Sequence, residues 1–485
     1  MGAIKMTFEK CSDINFGTSG LRGIASGFTA ECVAAYIFAF LKILDQNTKQ
    51  KNIYIGADLR QSSPIISAHC IAATKAFGWQ PIYGGNVPTP ALAAYAIAKN
   101  CPAIMITGSH MSNDCNGMKF YRPNGELSKS DEAPIKENLA LFSESDFTFT
   151  SEKLPPINPK IAQSYINRYI NAFPKNALSG IKLGINMHCA VGRNILLEIF
   201  ERLGASCFPY NHSETFIALD TEALDKADIK NAKKQIKTYN LDAVISTDGD
   251  GDRPLLFDEN GAQINGDVIG AIAAKSLNIK TIVTPLTSTS AIKKSGWFNK
   301  IIRTNIGSPY VVAAMSELGK TDEPIAGFEA NGGFLLGSDI KLKNGNLSSL
   351  PTRDAILPLI AVLIKAKNKS ISISNLANTL PPRFMKANRI KQVPNDIANE
   401  FLYQMQTSKF HCKAMDKLLE NPIDINTQDG VRMSFCDSSI IHFRQSGNAP
   451  EMRIYVETNN QKKSKQTLDI LIENLSKHLH SKGRN

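Results

Sequence analysis

The chain has 485 residues, 43% of them hydrophobic and 20% charged, with a formal net charge of +11. This composition excludes a disordered or fibrous protein and predicts a soluble globular one of roughly three or four domains. The positive charge favours anionic partners. Because it is spread along the chain rather than gathered in a basic arm, it favours phosphorylated small molecules over nucleic acid.

The sequence shows no secretion or membrane signal. The start, MGAIKMTFEK, has no apolar core followed by a cleavage site. The most apolar run, which begins at Val33, is interrupted by Lys42 and is too short to span a bilayer. Nine cysteines occur without a Cys-x-x-Cys pair, which predicts reduced thiols, mostly in cores. We therefore expect a cytoplasmic protein that binds neither membranes nor nucleic acid.

Three segments share one layout of strand, polar loop, helix and second strand, and they begin at Lys51, Ile181 and Lys280. Such βαβ units predict α/β domains with mainly parallel sheets. About the last hundred residues instead contain the runs DGVRMSF, SIIHFRQ and MRIYVET and a terminal amphipathic helix. That pattern predicts an antiparallel α+β domain. We place the domains at residues 1–155, 156–262, 263–375 and 376–485.

The segment TGSHMSND places Ser109 directly beside His110. In an extended segment adjacent side chains point to opposite faces, so we do not expect His110 to reach the Ser109 hydroxyl. The Gly-x-Ser-x-Gly elbow of the α/β-hydrolases is also missing, because Met111 occupies the second glycine position. A serine hydrolase is therefore a weak interpretation of this segment.

The strongest local pattern is DGDGDR, where a short apolar strand leads into Asp248, Asp250, Asp252 and Arg253. Alternate residues of an extended loop point the same way, so the carboxylates can converge on one hard divalent cation. An EF-hand is set aside, because Arg253 stands where that loop requires glycine and a strand precedes the loop. A solvated acidic turn remains the alternative interpretation.

A magnesium site of this kind needs a further oxygen ligand, because magnesium is usually held by few carboxylates together with a phosphate oxygen. A phosphoserine at Ser109 would supply that oxygen and would make the serine a phosphoryl donor. The serine segment and the acidic segment together therefore predict phosphoryl transfer.

Five motifs, in this order along essentially the whole chain, resemble those of the α-D-phosphohexomutase superfamily, which includes the phosphomannomutases and phosphoglucomutases. They are FGTSGLRG, TGSHMSNDCNGMKFY, DGDGDR, GFEANGG and RQSGNAPEMRIYVE. The chain looks most like the bacterial phosphomannomutases. The resemblance implies that the three α/β domains and the C-terminal α+β domain surround a central cleft.

The resemblance also implies roles for the matching residues in the phosphoryl-transfer motifs. Ser109 would be the phosphorylated serine and would ligate the metal together with Asp248, Asp250 and Asp252.

The same resemblance implies roles for nearby basic residues. Arg22 and Arg253 would neutralise the transferring phosphoryl group. Lys119 would exchange a proton with the sugar hydroxyl, in surroundings that we expect to be cationic. His110 would contact phosphate or order the serine segment, and Arg60 would brace Arg22 or the phosphoserine.

The remaining matches concern the substrate. Glu329 and Asn331 would bind vicinal sugar hydroxyls, with Gly307 and Ser308 near the sugar. The nonreacting phosphate would lie in a cup formed by Arg444, Ser446, Gly447, Asn448 and Arg453. Taken alone, the glycine-containing segments would more often be surface turns, and Arg453 would equally well be a solvated strand residue.

The implied reaction interconverts hexose 1-phosphate and hexose 6-phosphate through a hexose 1,6-bisphosphate, with mannose phosphate favoured. The implied cofactors are Mg²⁺ and a bisphosphorylated hexose activator such as glucose 1,6-bisphosphate, and the implied assembly is a monomer or weak dimer. Phosphoglucomutase and phosphoglucosamine mutase remain alternatives, since the chain departs from the common pattern at Met111, Ser112, Ser308, Asn331 and Asn448. A magnesium-dependent sugar phosphatase is a more distant alternative.

Overall fold

The computed structural model describes residues 11–44, 51–142, 153–319, 323–406, 422–446 and 450–482. The chain forms two compact units. The larger comprises Met1–Thr284, Phe298–Ile302 and Gly307–Ala377, and the smaller comprises Pro285–Trp297, Arg303–Ile306 and Asn378–Asn485. The predicted boundaries of four domains stay predictions.

The first sheet of the larger unit has seven strands in the order β1-β2-β6-β5-β3-β4, with β7 paired to β6. Strand β3 runs parallel to β4 and β5, whereas β6 runs antiparallel to β5 and β2. The strands are β1 (Ile14–Phe16), β2 (Leu21–Ile24), β3 (Asn52–Ala57), β4 (Gln80–Asn86), β5 (Ala103–Ile106), β6 (Cys115–Arg122) and β7 (Gly125–Glu126). Its helices are Ala30–Leu44, Ser63–Ala76, Thr89–Ala98 and Glu132–Leu139.

The helix Ala30–Leu44 contains the apolar run seen in the sequence, and it lies in the core of this region. Ile37 and Phe40 are fully buried there. None of the helices in the described residues is long and apolar enough to cross a membrane. The helix also differs from expectation, because Cys32 forms a disulfide with Cys11 where the sequence predicts reduced thiols. Their Cα atoms lie 5.7 Å apart, a proximity that their spacing of 21 residues does not reveal.

The second sheet has four strands in the order β11-β10-β8-β9, of which β8, β9 and β10 are parallel and β11 is antiparallel. The strands are β8 (Lys182–His188), β9 (Ser206–His212), β10 (Ala243–Thr247) and β11 (Pro254–Phe257). The helices of this region are Lys160–Ala172, Arg193–Arg202 and Lys226–Tyr239.

The third sheet has five strands in the order β13-β12-β14-β15-β18, and a two-stranded ribbon of β16 and β17 accompanies it. Strands β12 and β14 are parallel, and β15 and β18 extend the sheet in antiparallel fashion. The strands are β12 (Thr281–Pro285), β13 (Lys300–Thr304), β14 (Ile325–Phe328), β15 (Phe334–Leu336), β16 (Ile340–Leu342), β17 (Gly345–Leu347) and β18 (Leu350–Asp354). The helices are Gly266–Ser276, Ser308–Glu317, Ile356–Lys369 and Ile373–Ala377.

The smaller unit contains a five-stranded antiparallel sheet in the order β19-β23-β22-β21-β20. The strands are β19 (Phe384–Lys391), β20 (Asp424–Asn426), β21 (Val431–Ser434), β22 (Ile440–Gln445) and β23 (Glu451–Thr458). Its helices are Ala291–Lys294, Asn395–Gln406 and Gln461–Lys482. The predicted fold class, βαβ-based α/β regions followed by an antiparallel α+β region, is confirmed.

Candidate active site

Two loops meet at Ser109. The serine loop (residues 107–115) follows β5, and the acidic loop (residues 248–253) follows β10. The Ser109 hydroxyl, only 3% exposed, donates a hydrogen bond of 3.1 Å to Oδ2 of Asp248, 139 residues further along the chain. Both strands belong to parallel pairs, and chemistry at the carboxyl ends of such strands is typical of α/β sheets. The sequence-predicted partners therefore lie together.

The contact between Ser109 and His110 differs from the prediction. Ser109 has φ of 52°, so its backbone is left-handed rather than extended, and its Oγ lies 3.5 Å from Nδ1 of His110. That distance is at the outer limit of a hydrogen bond. Burial, with the charge of nearby Arg253, lowers the pKa of His110 to about 4, so the imidazole is neutral at neutral pH. Asp248 therefore makes the shorter contact with the serine.

Arg60 shapes the serine loop. Its guanidinium donates to four main-chain carbonyl oxygens, those of Ser109, Met111, Ser112 and Cys115. Its Nε donates to Asp58 over 3.2 Å, and its Cζ lies 4.1 Å from the ring centroid of Phe216. Gly108 is required beside it, because a Cβ there would lie 2.5 Å from Cζ of Arg60. The guanidinium therefore fixes the main-chain conformation of the serine loop.

Replacing Arg60 by lysine is expected to lower turnover about 10- to 100-fold, because an ammonium cannot hold four carbonyl oxygens in one plane and the serine would shift. Gly108→Ala should lower turnover similarly by displacing the guanidinium. Turnover and melting temperature check this prediction, with Arg202→Lys on an exposed helix as the control. Parent-like turnover in both site variants would contradict it.

The acidic loop has the donor set of a divalent-cation site. Asp248, Asp250 and Asp252 are buried, and one ligand atom from each lies within 4.8 Å of the others. Oδ2 of Asp250 accepts bonds from Thr89 and Lys119, both of 2.6 Å. The opposite oxygens, Oδ1 of Asp250 and of Asp252, are buried and have no hydrogen-bond partner among the described residues. Buried oxygens of this kind fit a hard cation.

The pKa values of the three carboxyl groups diverge. Burial raises the pKa of Asp248 well above its usual range, and the neighbouring carboxylates reinforce that shift. Burial also acts on Asp250 and Asp252, but Lys119 and Arg353 outweigh it and hold both pKa values below their usual range. Neighbouring cations thus keep Asp250 and Asp252 ionised. A bound metal ion would favour the ionised form of Asp248 most strongly.

The predicted basic residues lie around this loop. Lys119 was expected among cations, but its Nζ lies between two carboxylates, 2.6 Å from Asp250 and 2.7 Å from Asp252. Nε of Arg253 lies 3.8 Å from a carboxylate oxygen of Asp248 and also of Asp252. Arg22 lies on β2, where its guanidinium donates to the carbonyl oxygen of Thr107 in the serine loop.

The sugar loop (residues 329–333) follows β14. Glu329 and Asn331 are both buried, and the amide of Asn331 lies 3.5 Å from Oε2 of Glu329. Oδ1 of the Asn331 side chain accepts the Gly333 N–H, so the side-chain amide orients both the loop and the Glu329 carboxylate.

Gly307 and Ser308 stand at the start of a helix in the same unit. Gly307 has φ of 130°, and Ser308 donates to Glu126 over 3.3 Å. The Ser308 hydroxyl is therefore already engaged by Glu126.

The predicted phosphate cup belongs to the smaller unit. Arg444 pairs with Asp429 at 2.7 Å, and Arg453 pairs with Glu451 at 3.0 Å. Arg444 and Arg453 are cross-strand partners, and Ser446 follows β22. Gly447 and Asn448 lie outside the described residues. The cup is therefore described only in its strand residues.

Two residues of the site were not predicted to have a role in it. Thr89 donates twice to Asp250, from its hydroxyl to the carboxylate and from its N–H to the main-chain carbonyl oxygen. Arg353 contacts Asp252 at 2.9 Å. Neither has a local signal, because each reaches the acidic loop from a distant part of the chain.

Models of the phosphoglucomutase/phosphomannomutase alpha/beta/alpha domains I, II and III match residues 13–144, 163–261 and 265–384. The chain belongs to the phosphoglucomutase/phosphomannomutase family. A phosphomannomutase of Salmonella muenchen is 38% identical over 479 residues, which cover 96% of this chain and 97% of that relative. A phosphomannomutase of Sinorhizobium fredii is also 38% identical, over 91% of this chain and 94% of the relative.

Solved structures of the same phosphohexomutase superfamily share the fold. A phosphoglucomutase/phosphomannomutase family protein from Burkholderia thailandensis superposes with a TM-score of 0.74 at 17% identity, over 94% of this chain and 96% of that chain. An N-acetylphosphoglucosamine mutase of Aspergillus fumigatus, solved with GlcNAc-6P and magnesium, superposes with a TM-score of 0.55 at 13% identity, over 90% and 85%. The predicted superfamily and enzyme class, a phosphohexomutase and hence an isomerase, are confirmed.

Proposed function

We propose that this phosphohexomutase interconverts mannose 1-phosphate and mannose 6-phosphate by way of a phosphoserine at Ser109. The observation that carries the proposal is the hydrogen bond of 3.1 Å from the buried Ser109 hydroxyl to Asp248 within the acidic cluster. The phosphomannomutases among the relatives favour mannose. Relatives named phosphoglucosamine mutase, 28% identical, make glucosamine phosphate the second candidate substrate.

In the first transfer the bond from phosphorus to Oγ of Ser109 breaks and a bond from phosphorus to the free sugar hydroxyl forms. The proton of that hydroxyl passes to Lys119, which enters the step as the neutral amine after giving its own proton to one of the two carboxylates that its Nζ contacts. Arg22 and Arg253 neutralise the transferring group. A magnesium ion held by phosphoserine 109, Asp248, Asp250 and Asp252 would add charge neutralisation on the phosphoryl oxygens.

The product of this step is a hexose 1,6-bisphosphate. It must reverse its orientation in the site before its other phosphate is transferred back to Ser109. Glu329 and Asn331 bind sugar hydroxyls in both orientations of the bisphosphate. Gly307 and Ser308 lie near the bound sugar. The nonreacting phosphate binds to the cup of Arg444, Ser446, Gly447, Asn448 and Arg453. A trace of bisphosphorylated hexose, such as glucose 1,6-bisphosphate, activates the enzyme by restoring a serine that has lost its phosphate.

Turnover of mannose, glucose and glucosamine 1-phosphates with magnesium and a trace of bisphosphate tests the function. The expected result is formation of the 6-phosphates, fastest for mannose. Faster turnover of glucosamine 1-phosphate would make glucosamine phosphate, rather than mannose phosphate, the substrate of this family member. Release of inorganic phosphate without any 6-phosphate would contradict the mutase and favour a phosphatase.

On this proposal the partners are phosphorylated hexoses. A cytoplasmic location, a monomeric or weakly dimeric state and the absence of nucleic-acid and membrane partners stay predictions.

A further inference from the structure

Arg353 connects the acidic loop to the sugar loop. One terminal nitrogen lies 2.9 Å from Oδ2 of Asp252, and the other lies 3.4 Å from Oε2 of Glu329. The side chain is 5% exposed, and those of its two partners are no more than 7% exposed. One rigid planar group therefore contacts both a carboxylate of the acidic loop and the carboxylate of the sugar loop.

In each of the two carboxylates, Arg353 contacts the oxygen that another protein group also contacts. Oδ2 of Asp252 also accepts a bond from Lys119, whereas Oδ1 is buried, accepts no hydrogen bond from the described residues and lies 3.8 Å from Nε of Arg253. Oε2 of Glu329 is likewise approached by the Asn331 amide. Oδ1 of Asp252 is thereby left for a cation, and Oε1 of Glu329 for a sugar hydroxyl.

The surrounding chain keeps Arg353 in place. It lies on β18, and the next residue, Asp354, accepts bonds from the Tyr165 hydroxyl at 2.6 Å and from the Ile356 N–H at 2.9 Å. Gly333 leaves room for the arginine stem, because a Cβ there would lie 2.6 Å from Cδ of Arg353. A side chain at that point of the sugar loop would separate the guanidinium from Glu329.

We propose that Arg353 is a positioning residue that couples divalent-cation binding at the acidic loop to sugar binding at Glu329. The inference rests on the proposed function for the identity of its sugar ligand. Because both partners contact the same guanidinium, order imposed by one ligand is transmitted to the carboxylate that binds the other. A purely structural ion pair would support the fold without linking the two affinities.

The test measures Mn²⁺ binding by electron paramagnetic resonance, with and without saturating mannose 1-phosphate, in the full-length parent and in Arg353→Met and Arg353→Lys. Arg353→Met is expected to weaken Mn²⁺ binding about 10- to 100-fold. Mannose 1-phosphate, measured by calorimetry with EDTA present, should bind about 10-fold more weakly. The enhancement of Mn²⁺ affinity by the sugar phosphate should be lost in both variants, because one lysine nitrogen cannot replace two guanidinium nitrogens that contact different partners.

Two further variants distinguish coupling through Arg353 from a general effect of losing an arginine-carboxylate pair or of weaker sugar binding. Arg122→Met removes another arginine-carboxylate pair of the same unit and should keep the parent Mn²⁺ affinity and its enhancement by sugar phosphate. Asn331→Ala should weaken sugar binding alone. Arg353→Lys keeps a cation between the carboxylates and decides the matter if Arg353→Met does not fold. A folded Arg353→Lys with parent Mn²⁺ affinity and full enhancement would overturn the inference.

The proposed function fails separately. If the parent does not bind mannose 1-phosphate or convert it, the sugar assignment is wrong. The weakening of Mn²⁺ binding by Arg353→Met without any sugar would still establish the link between Arg353 and the acidic loop.

Discussion

Ser109→Ala is expected to lower mutase turnover by at least about 10,000-fold, because the serine oxygen is the phosphoryl carrier and no second acceptor replaces it. The fold should persist. The substitution removes one hydrogen bond to Asp248, worth about 1 kcal/mol, while the Ser109 N–H keeps its bond to Thr107. Steady-state kinetics with mannose 1-phosphate and a melting curve check both parts.

The control for this prediction is Ser112→Ala in the same loop. Ser112 is exposed, and its hydroxyl contacts the Cys115 sulfur, at 3.7 Å, and the exposed Asp114 carboxylate. It should keep turnover close to that of the parent. If the Ser109 variant retains more than a few per cent of parent turnover, the carrier role is wrong.

Lys119→Met is expected to have the next largest effect, a loss of turnover of about 1,000-fold. It should also lower stability by an amount that depends on whether Mg²⁺ is present. The ammonium lies between Asp250 and Asp252, and its side chain is 3% exposed. Without it Asp250 is buried and lacks its ion-pair partner, while Asp252 keeps Arg353, and the change should cost about 3–5 kcal/mol of unfolding free energy. Excess Mg²⁺ should restore part of that loss.

Urea denaturation with EDTA and with Mg²⁺ measures this Mg²⁺-dependent loss of stability. The parent and the control Lys463→Met, which removes an exposed ion pair with Asp437, should respond much less to the change from EDTA to Mg²⁺. Equal destabilisation of Lys119→Met in both buffers would show that the lysine does not act through the acidic loop.

The fold could be predicted from the sequence, and so could the proximity of Ser109 to the acidic loop. Strand, loop and helix patterns predicted the α/β regions, and Ser109 and Asp248 both lie in loops that follow strands, so their proximity was predictable. The motifs supplied the family. The antiparallel strands at the sheet edges and the disulfide of Cys11 and Cys32 had no comparable signal.

What could not be predicted depends on side-chain geometry. The expected separation of His110 from Ser109 was wrong because it assumed extended backbone, and the left-handed φ of Ser109 cannot be read from a Gly-Ser-His segment. Thr89 and Arg353 reach the acidic loop from elsewhere in the chain, and no local pattern marks them. The roles of Gly447 and Asn448, and the domain boundaries, stay predictions.

The central claim, that Ser109 carries the phosphoryl group between the two positions of the sugar, is tested most directly by a label chase. The protein is incubated with radiolabelled glucose 1,6-bisphosphate and magnesium, digested, and then compared with a sample chased with unlabelled mannose 1-phosphate. We predict label on the peptide containing Ser109, and its transfer to sugar phosphate during the chase. Absence of label from that peptide, or its release only as inorganic phosphate, would contradict the account.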